Sequence, residues 1–145
     1  MRLARISHSW RYGLALGSNL APASENPDGN QEDSTIQEEI SFVQDIENRI
    51  VKFFLDLVVL VALKNQNGLT GYDIMIGAKK RFDTLVSPGA IYPILYSLER
   101  KGLVKGVSDG KKTSYILSDK GEEYLNVFKG SRKELTEFMM EFFNF

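Results

Sequence analysis

Residues 87–112 contain the side chains best suited to contact another molecule. Between Lys79 and Lys112 the sequence has eight Lys and Arg residues against three Asp and Glu residues. The formal net charge of −1 hides this basic region, because residues 25–47 carry eight acids and no Lys or Arg. Cations, hydroxyl groups and a helix N-terminus can bind phosphate groups and the edges of bases. The residues predicted to make such contacts are Ser87, Gly89, Tyr92, Pro93, Tyr96, Arg100, Lys111 and Lys112.

A helix beginning at Ser87-Pro88 must position most of these side chains. Serine followed by proline is typical of a helix start, since the proline N–H would be unpaired there in any case. The apolar residues of this helix recur at helical spacing, so the predicted contact residues lie on the opposite face. The apolar stripe consists of Ile91, Ile94, Leu95 and Leu98.

Pro93 is the least expected residue of this helix. A proline at this depth removes the hydrogen bond to the Gly89 carbonyl and ordinarily destabilises a helix by about 3 kcal/mol. The outward face consists of Gly, Pro, Tyr and Arg, which allow close contact with another molecule. A helix face that is only solvated ordinarily carries a mixture of Glu and Lys. Each feature taken singly has a structural explanation, in which Tyr92 is partly core and the lysines belong to an ordinary turn.

The elements around this helix predict a mainly α fold with a small β-hairpin, that is, a winged helix-turn-helix. A preceding helix is expected to begin at Thr70, whose hydroxyl can cap it, with Tyr72, Met75, Ile76 and Phe82 on one face. Short strands over 103–107 and 113–117 flank an Asp-Gly turn that carries Lys111 and Lys112. Upstream, the capping-box pattern Thr35-Ile-Gln-Glu38 predicts a helical extension from about 35 to 65, as one long helix or two abutting ones.

The ends of the chain have separate roles in this prediction. Residues 1–34 are expected to form a disordered tail, 35–118 the winged helix-turn-helix with its N-terminal extension, and 119–145 a C-terminal helix that Gly130 breaks or kinks. Large apolar residues near the C-terminus predict a helix that packs against a partner copy. The predicted dimer interface consists of Leu135, Phe138, Met139 and Phe142.

The chain lacks residues that several other classes of protein need. The chain has no cysteine and one histidine, His8, so we expect no metal, no cofactor and no enzyme activity. The most apolar stretch, residues 53–63, is about half the length that crosses a bilayer, so no membrane association is expected. The absence of cysteine also favours the cytoplasm.

The continuous stretch from Ser87 to Leu103, together with Gly71-Tyr72-Asp73-Ile74, resembles the signature of the PadR family of transcriptional regulators. Tyr115 followed by Leu117, Ser118 and Gly121 resembles that family's wing, so the likeness covers about residues 55–129. It implies a homodimeric repressor that binds double-stranded DNA at an inverted-repeat operator and is released by an unidentified small-molecule effector or by another signal. The alternative is a winged-helix module in which Tyr92, Pro93 and Tyr96 bind a partner protein.

Overall fold

The computed structural model describes the backbone of residues 29–145 and the side chains of residues 34–145. The chain divides into two compact units after Ile50. The tail predicted for residues 1–34 lies, as far as residue 28, outside the described residues.

The first unit contains most of helix α1, Gly29–Phe53. The helix begins six residues before Thr35, so the predicted start at a Thr35 capping box is wrong. Residues 30–34 contain helix-compatible Gln and Glu, and extending an existing helix adds one hydrogen bond for each residue fixed. Ile36, Phe42 and Val43 lie exposed on this helix.

The second unit begins at Val51, within the last turn of α1. Phe54 has φ −97° and ψ 28°, outside helical geometry, and separates α1 from helix α2. The predicted extension therefore consists of two abutting helices. The remaining elements are α2 Leu55–Asn65, β1 Leu69–Thr70, α3 Gly71–Phe82, α4 Pro88–Arg100, β2 Val104–Ser108, β3 Thr113–Leu117, α5 Asp119–Gly130 and α6 Arg132–Phe143.

The three strands form an antiparallel sheet in the order β1-β3-β2. In the hairpin of β2 and β3, Gly106 is paired with Tyr115 and Ser108 with Thr113. Strand β1, which sequence patterning did not predict, pairs Leu69 with Tyr115 on the other side of β3. The short strand β1 thus joins the hairpin to the start of helix α3.

The hydrophobic core lies between helices α2, α3 and α4 and the sheet. Its fully buried side chains include Leu60, Leu63, Ile74, Leu95 and Leu98. Burying an aliphatic side chain of this size stabilises the fold by about 1.5–3 kcal/mol. The predicted stripe of α4 is confirmed as its buried face, with Ile94 packed at the margin of the core.

The apolar face predicted for helix α3 is only partly its buried face, since Met75 packs against the margin of the core. Tyr72 is 63% exposed and Ile76 is 50% exposed, whereas Gly71, Ile74 and Ala78 face the core. Both sets of residues recur at three- and four-residue intervals, so periodicity alone supports either face. Tertiary packing selects the face with the small residues Gly71 and Ala78, which allow the neighbouring elements to approach closely.

The start of α3 agrees with the prediction from Thr70. The Thr70 hydroxyl accepts a hydrogen bond from the Asp73 amide at 3.2 Å, and the Asp73 carboxylate accepts one from the Thr70 amide at 2.9 Å. This reciprocal arrangement satisfies two amides that the helix itself leaves unpaired. The Thr70 hydrogen bonds hold the pKa of Asp73 below its ordinary value.

The C-terminal segment forms two helices, as the break predicted at Gly130 indicated. Ser118 precedes α5, and its hydroxyl accepts a hydrogen bond from the Gly121 amide at 3.0 Å. Ser131 is non-helical and separates α5 from α6. Within the part of the chain that the structure describes, no helix combines the length and the apolar character needed to cross a bilayer.

Candidate nucleic-acid interface

The N-terminus of α4 has one amide available to an external acceptor. Ser87 is the N-cap, and its carbonyl accepts hydrogen bonds from the amides of Ala90 at 3.0 Å and Ile91 at 3.1 Å. Pro88 has no N–H, so among the residues described the Gly89 amide is left for an external acceptor. The Ser87 side chain makes no capping hydrogen bond. The hydroxyl and the Gly89 amide together can bind a phosphate oxygen.

The outward face of α4 is open to solvent, as predicted. Tyr96 is 60% exposed, and Pro93 and Arg100 are also exposed. Arg100 lies in the last turn, where a cation interacts favourably with the helix dipole. A phenol, a pyrrolidine ring and a guanidinium on successive turns can make hydrogen bonds and close apolar contacts in a major groove.

Tyr92 is less available than its neighbours on this face. It is 37% exposed, and its ring lies against the backbone of Gly71 at the start of α3. A Cβ atom at position 71 would lie 2.9 Å from Cε1 of that ring. Tyr92 therefore has a packing role between the two helices besides its hydroxyl, which agrees with the interpretation that it is partly core.

Tyr115 of β3 lies behind the exposed tyrosines and is 3% exposed. Burial raises the pKa of its phenol above the ordinary value, and the neighbouring Tyr96, Glu99 and Tyr92 raise it further. A neutral, buried ring therefore lies in the sheet close to the side chains of Tyr92, Tyr96 and Glu99.

The hairpin turn presents Lys111 and Lys112. The Asp109 carboxylate accepts hydrogen bonds from the backbone amides of both lysines at 2.9 Å, and Gly110 adopts a left-handed φ of 86°. These amide hydrogen bonds hold the pKa of Asp109 below its ordinary value. Both lysine side chains are exposed, and neither forms an ion pair among residues 34–145.

The wing is attached to α4 by a residue that sequence reasoning missed. The Glu99 carboxylate accepts a hydrogen bond from the Gly106 amide in β2 at 2.8 Å. A Cβ atom at position 106 would lie 2.8 Å from the same carboxylate oxygen. A glycine inside a strand often marks a close approach of this kind, and Gly106 is the signal that could have revealed the contact.

The eight predicted contact residues thus lie on two exposed parts of one unit. Six are at the N-cap and along the outward face of α4, and two are in the wing turn. Lys112 is also close enough to lower the pKa of Asp73 through its charge, so the wing turn lies near the start of α3. The arrangement is an exposed helix flanked by a lysine-tipped hairpin.

The predicted interface residues of α6 are largely uncovered. Leu135 is 44% exposed, Phe138 61% and Phe142 64%, and α6 has no buried residue. Met139 is half-buried. Exposed apolar surfaces of this kind are typical of sites that bind another molecule.

The fold and the exposed helix define a winged helix-turn-helix, as the sequence predicted. Residues 59–127 match the model of the transcriptional regulator PadR-like family. The match confirms that this part of the chain resembles PadR-like transcriptional regulators.

Solved structures have the same fold. A PadR-like transcriptional regulator from Bacillus cereus is 26% identical, with a TM-score of 0.56 over 67% of this chain and 98% of its own. A transcriptional regulator from Clostridium thermocellum is 21% identical, with a TM-score of 0.56 over 67% of this chain and 96% of its own. The transcriptional activator GvpE of Haloferax mediterranei is 28% identical over 79 residues, which are 54% of this chain and 41% of the activator.

Proposed function

We propose that this chain is a sequence-specific transcriptional repressor that binds an inverted-repeat operator as a homodimer. The observation that carries the proposal is the outward face of α4, where Pro93, Tyr96 and Arg100 are exposed beside a lysine-tipped wing. A helix of this kind fits the major groove, while hairpin lysines bind the adjoining backbone. The site of action would be the cytoplasm, with double-stranded DNA as the partner.

Dimerisation is proposed through α6. A palindromic operator presents two half-sites, and its symmetry matches a protein dimer with a two-fold axis. The exposed side chains of Leu135, Phe138 and Phe142, with half-buried Met139, would pack against the same face of a second copy. Such packing would cover apolar surface that a monomer leaves in water.

Activation of transcription is the second candidate direction, because the matched protein from Haloferax mediterranei is described as an activator. The two directions differ in where the operator lies relative to the promoter. Transcription in vitro from a template carrying the chain's own upstream region distinguishes them. A repressor lowers the amount of transcript, and an activator raises it.

Selection of duplexes from a random pool, followed by affinity measurements, tests the DNA-binding proposal itself. We expect the selected site to bind at least 10³-fold more tightly than a scrambled duplex at the same salt concentration. The variant Tyr96→Ala should lose roughly 5- to 150-fold in operator affinity, equivalent to about 1–3 kcal/mol. Tyr124→Ala, which removes an exposed tyrosine from α5, is the matched control.

Equal affinity for selected and scrambled duplexes would refute sequence-specific binding. An equal loss in the Tyr96→Ala and Tyr124→Ala variants would exclude a special role for the outward face of α4. Tight binding of a protein partner without salt-dependent DNA binding would instead support the interaction-module alternative.

A further inference from the structure

Gly89 and Pro93 are residues that ordinarily weaken a helix, and both lie exposed on the outward side of α4. They are the second and the sixth residues of a helix of 13 residues, so they are about one turn apart. Glycine and proline have the lowest helix propensities of all residues. Proline is tolerated in the first turn of a helix, but Pro93 lies beyond it. Two such residues one turn apart indicate a use other than helix stability.

Packing within the described part of the chain does not require a glycine at position 89. A Cβ atom there would meet only the Ser87 hydroxyl oxygen, at 3.9 Å, which is an ordinary van der Waals distance. At Gly71, Gly106 and Gly121 the same atom would lie 2.9, 2.8 and 2.2 Å from a neighbouring residue. Gly89 also has no left-handed φ that would favour glycine. The absence of a side chain at Gly89 therefore leaves room for another molecule.

Pro93 leaves the carbonyl oxygen of Gly89 without its helical donor. In an α-helix each carbonyl accepts a hydrogen bond from the amide four residues later, and Pro93 has no N–H. Among residues 34–145, no group of another element donates to this oxygen. The ring of a helical proline also crowds that carbonyl, which favours an outward tilt toward solvent. The outward side of α4 thus carries a backbone acceptor that no side chain at position 89 covers.

We infer that the Gly89 carbonyl recognises one base in each operator half-site by accepting a hydrogen bond from an exocyclic amino group in the major groove. This inference rests on the proposed function. A carbonyl cannot pair with phosphate oxygens, with O6 of guanine or with O4 of thymine, because these atoms are acceptors themselves. The amino groups at N6 of adenine and N4 of cytosine are the donors on the major-groove edge. The carbonyl therefore selects adenine or cytosine over guanine or thymine at one position of one strand.

The same geometry explains why the glycine and the proline occur together. Pro93→Ala would supply the missing amide, and the carbonyl would then be paired inside the helix. Gly89→Ala would leave the carbonyl unpaired but would place a methyl group between it and the base. Each substitution favours the helix, and each removes either the acceptor or access to it.

Duplexes that lack a single amino group test this assignment. The reference duplex is the operator selected from a random pool with the unaltered chain. In its derivatives, one adenine is replaced by purine, or one cytosine by pyrimidin-2-one, at one position at a time. For the unaltered chain, one such replacement in a half-site should weaken binding roughly 2- to 12-fold more than it does for Pro93→Ala. Because both proteins are measured on the same duplexes, the weaker base pair of each analogue cancels.

Pro88→Ala is the matched control. It also removes an exposed proline from α4, but at the first helical position, where the restored amide has no acceptor within the helix. The sensitive position should therefore remain as sensitive as in the unaltered chain. Gly89→Ala should abolish the sensitivity, as Pro93→Ala does.

A stability measurement without DNA separates recognition from a structural role. At a fixed protein concentration, Pro93→Ala should raise the midpoint of urea unfolding by roughly 1 M, because it restores a helical hydrogen bond. Pro88→Ala should leave the midpoint nearly unchanged, since proline is well accommodated at the first helical position.

Three results would overturn the inference. If the unaltered chain and Pro93→Ala lose equal affinity at every position, the carbonyl does not contact an amino group, although sequence-specific binding would stand. If Pro93→Ala lowers the urea midpoint or prevents folding, Pro93 serves the fold instead. Equal binding of selected and scrambled duplexes by the unaltered chain would refute the proposed function and this inference together.

Discussion

Replacing Lys111 and Lys112 with alanine should make DNA binding less sensitive to salt. Both side chains project from a turn in which the Asp109 carboxylate accepts hydrogen bonds from the two lysine backbone amides. The substitutions therefore remove two ammonium groups without removing these hydrogen bonds. Neither lysine pairs with a carboxylate among residues 34–145, and each is free to neutralise a phosphate. Loss of the two charges should weaken binding to operator and random duplex about equally.

The expected magnitude follows from the release of counterions. Each neutralised phosphate contributes about −0.9 to the slope of log affinity against log salt concentration. Two contacts for each chain correspond to about 1.8 units, and a dimer on its operator should therefore lose about 3.6 units. Over a fourfold rise in salt, the unaltered dimer should lose about 150-fold more affinity than the variant.

Fluorescence anisotropy with labelled duplexes at four or more salt concentrations measures this slope. The matched control is Lys129→Ala with Lys133→Ala, which removes the same total charge from α5 and α6. An unchanged slope in the Lys111, Lys112 variant would exclude the wing from the DNA interface. An equal change in the control would attribute the effect to net charge, and the argument from the wing geometry would fail.

Three further predictions concern stability and assembly. Gly121→Ala should destabilise the fold by about 1–3 kcal/mol or more in urea unfolding, because the new Cβ would lie 2.2 Å from the Leu103 carbonyl oxygen. In the control Gly130→Ala the new Cβ would have no neighbouring atom within 4 Å, so its effect on stability should be neutral or stabilising. Equal effects of the two substitutions would contradict the reasoning. The pKa of Asp73 is lowered by Thr70, so the contribution of Asp73 to stability is present above the ordinary pKa of about 3.9 and is lost as the pH falls through the folded-state pKa. Asp73→Asn should therefore reduce the fall in melting temperature on the acid side of the pH profile. An unchanged acid side would refute the assignment to Asp73. Removing residues 131–145 should yield monomers with weaker operator binding in sedimentation and binding assays, whereas persisting dimers would implicate α1 and α2 instead.

Several parts of this molecule could be predicted because their causes are local. The Ser87-Pro88 helix start, the Thr70 cap and the Asp-Gly turn each depend on residues within one turn of chain. The apolar stripe of α4 is likewise a property of residues 91–98 alone, and it implied the exposed face that carries the candidate contacts. The candidate contact residues Pro93, Tyr96 and Arg100 lie on that face, and all three are exposed, as expected.

Other parts depend on neighbours distant in the sequence. Helix α3 offers two faces at helical spacing, and only the packing of α2 and α4 places Ile74 rather than Ile76 in the core. The contact of Glu99 with Gly106 joins a helix to a strand seven residues away, and strand β1 exists because Leu69 meets Tyr115 across the sheet.

The sequence alone determined where the helices and the hairpin of the second unit lie and which side of α4 faces water, because helical periodicity and turn chemistry act over a few residues. Only the tertiary structure decided how α3 is oriented, how the wing is attached and that β1 joins the sheet. Those features depend on how side chains from separate elements pack into the same buried volume, and the residue pattern of a single element does not show that packing.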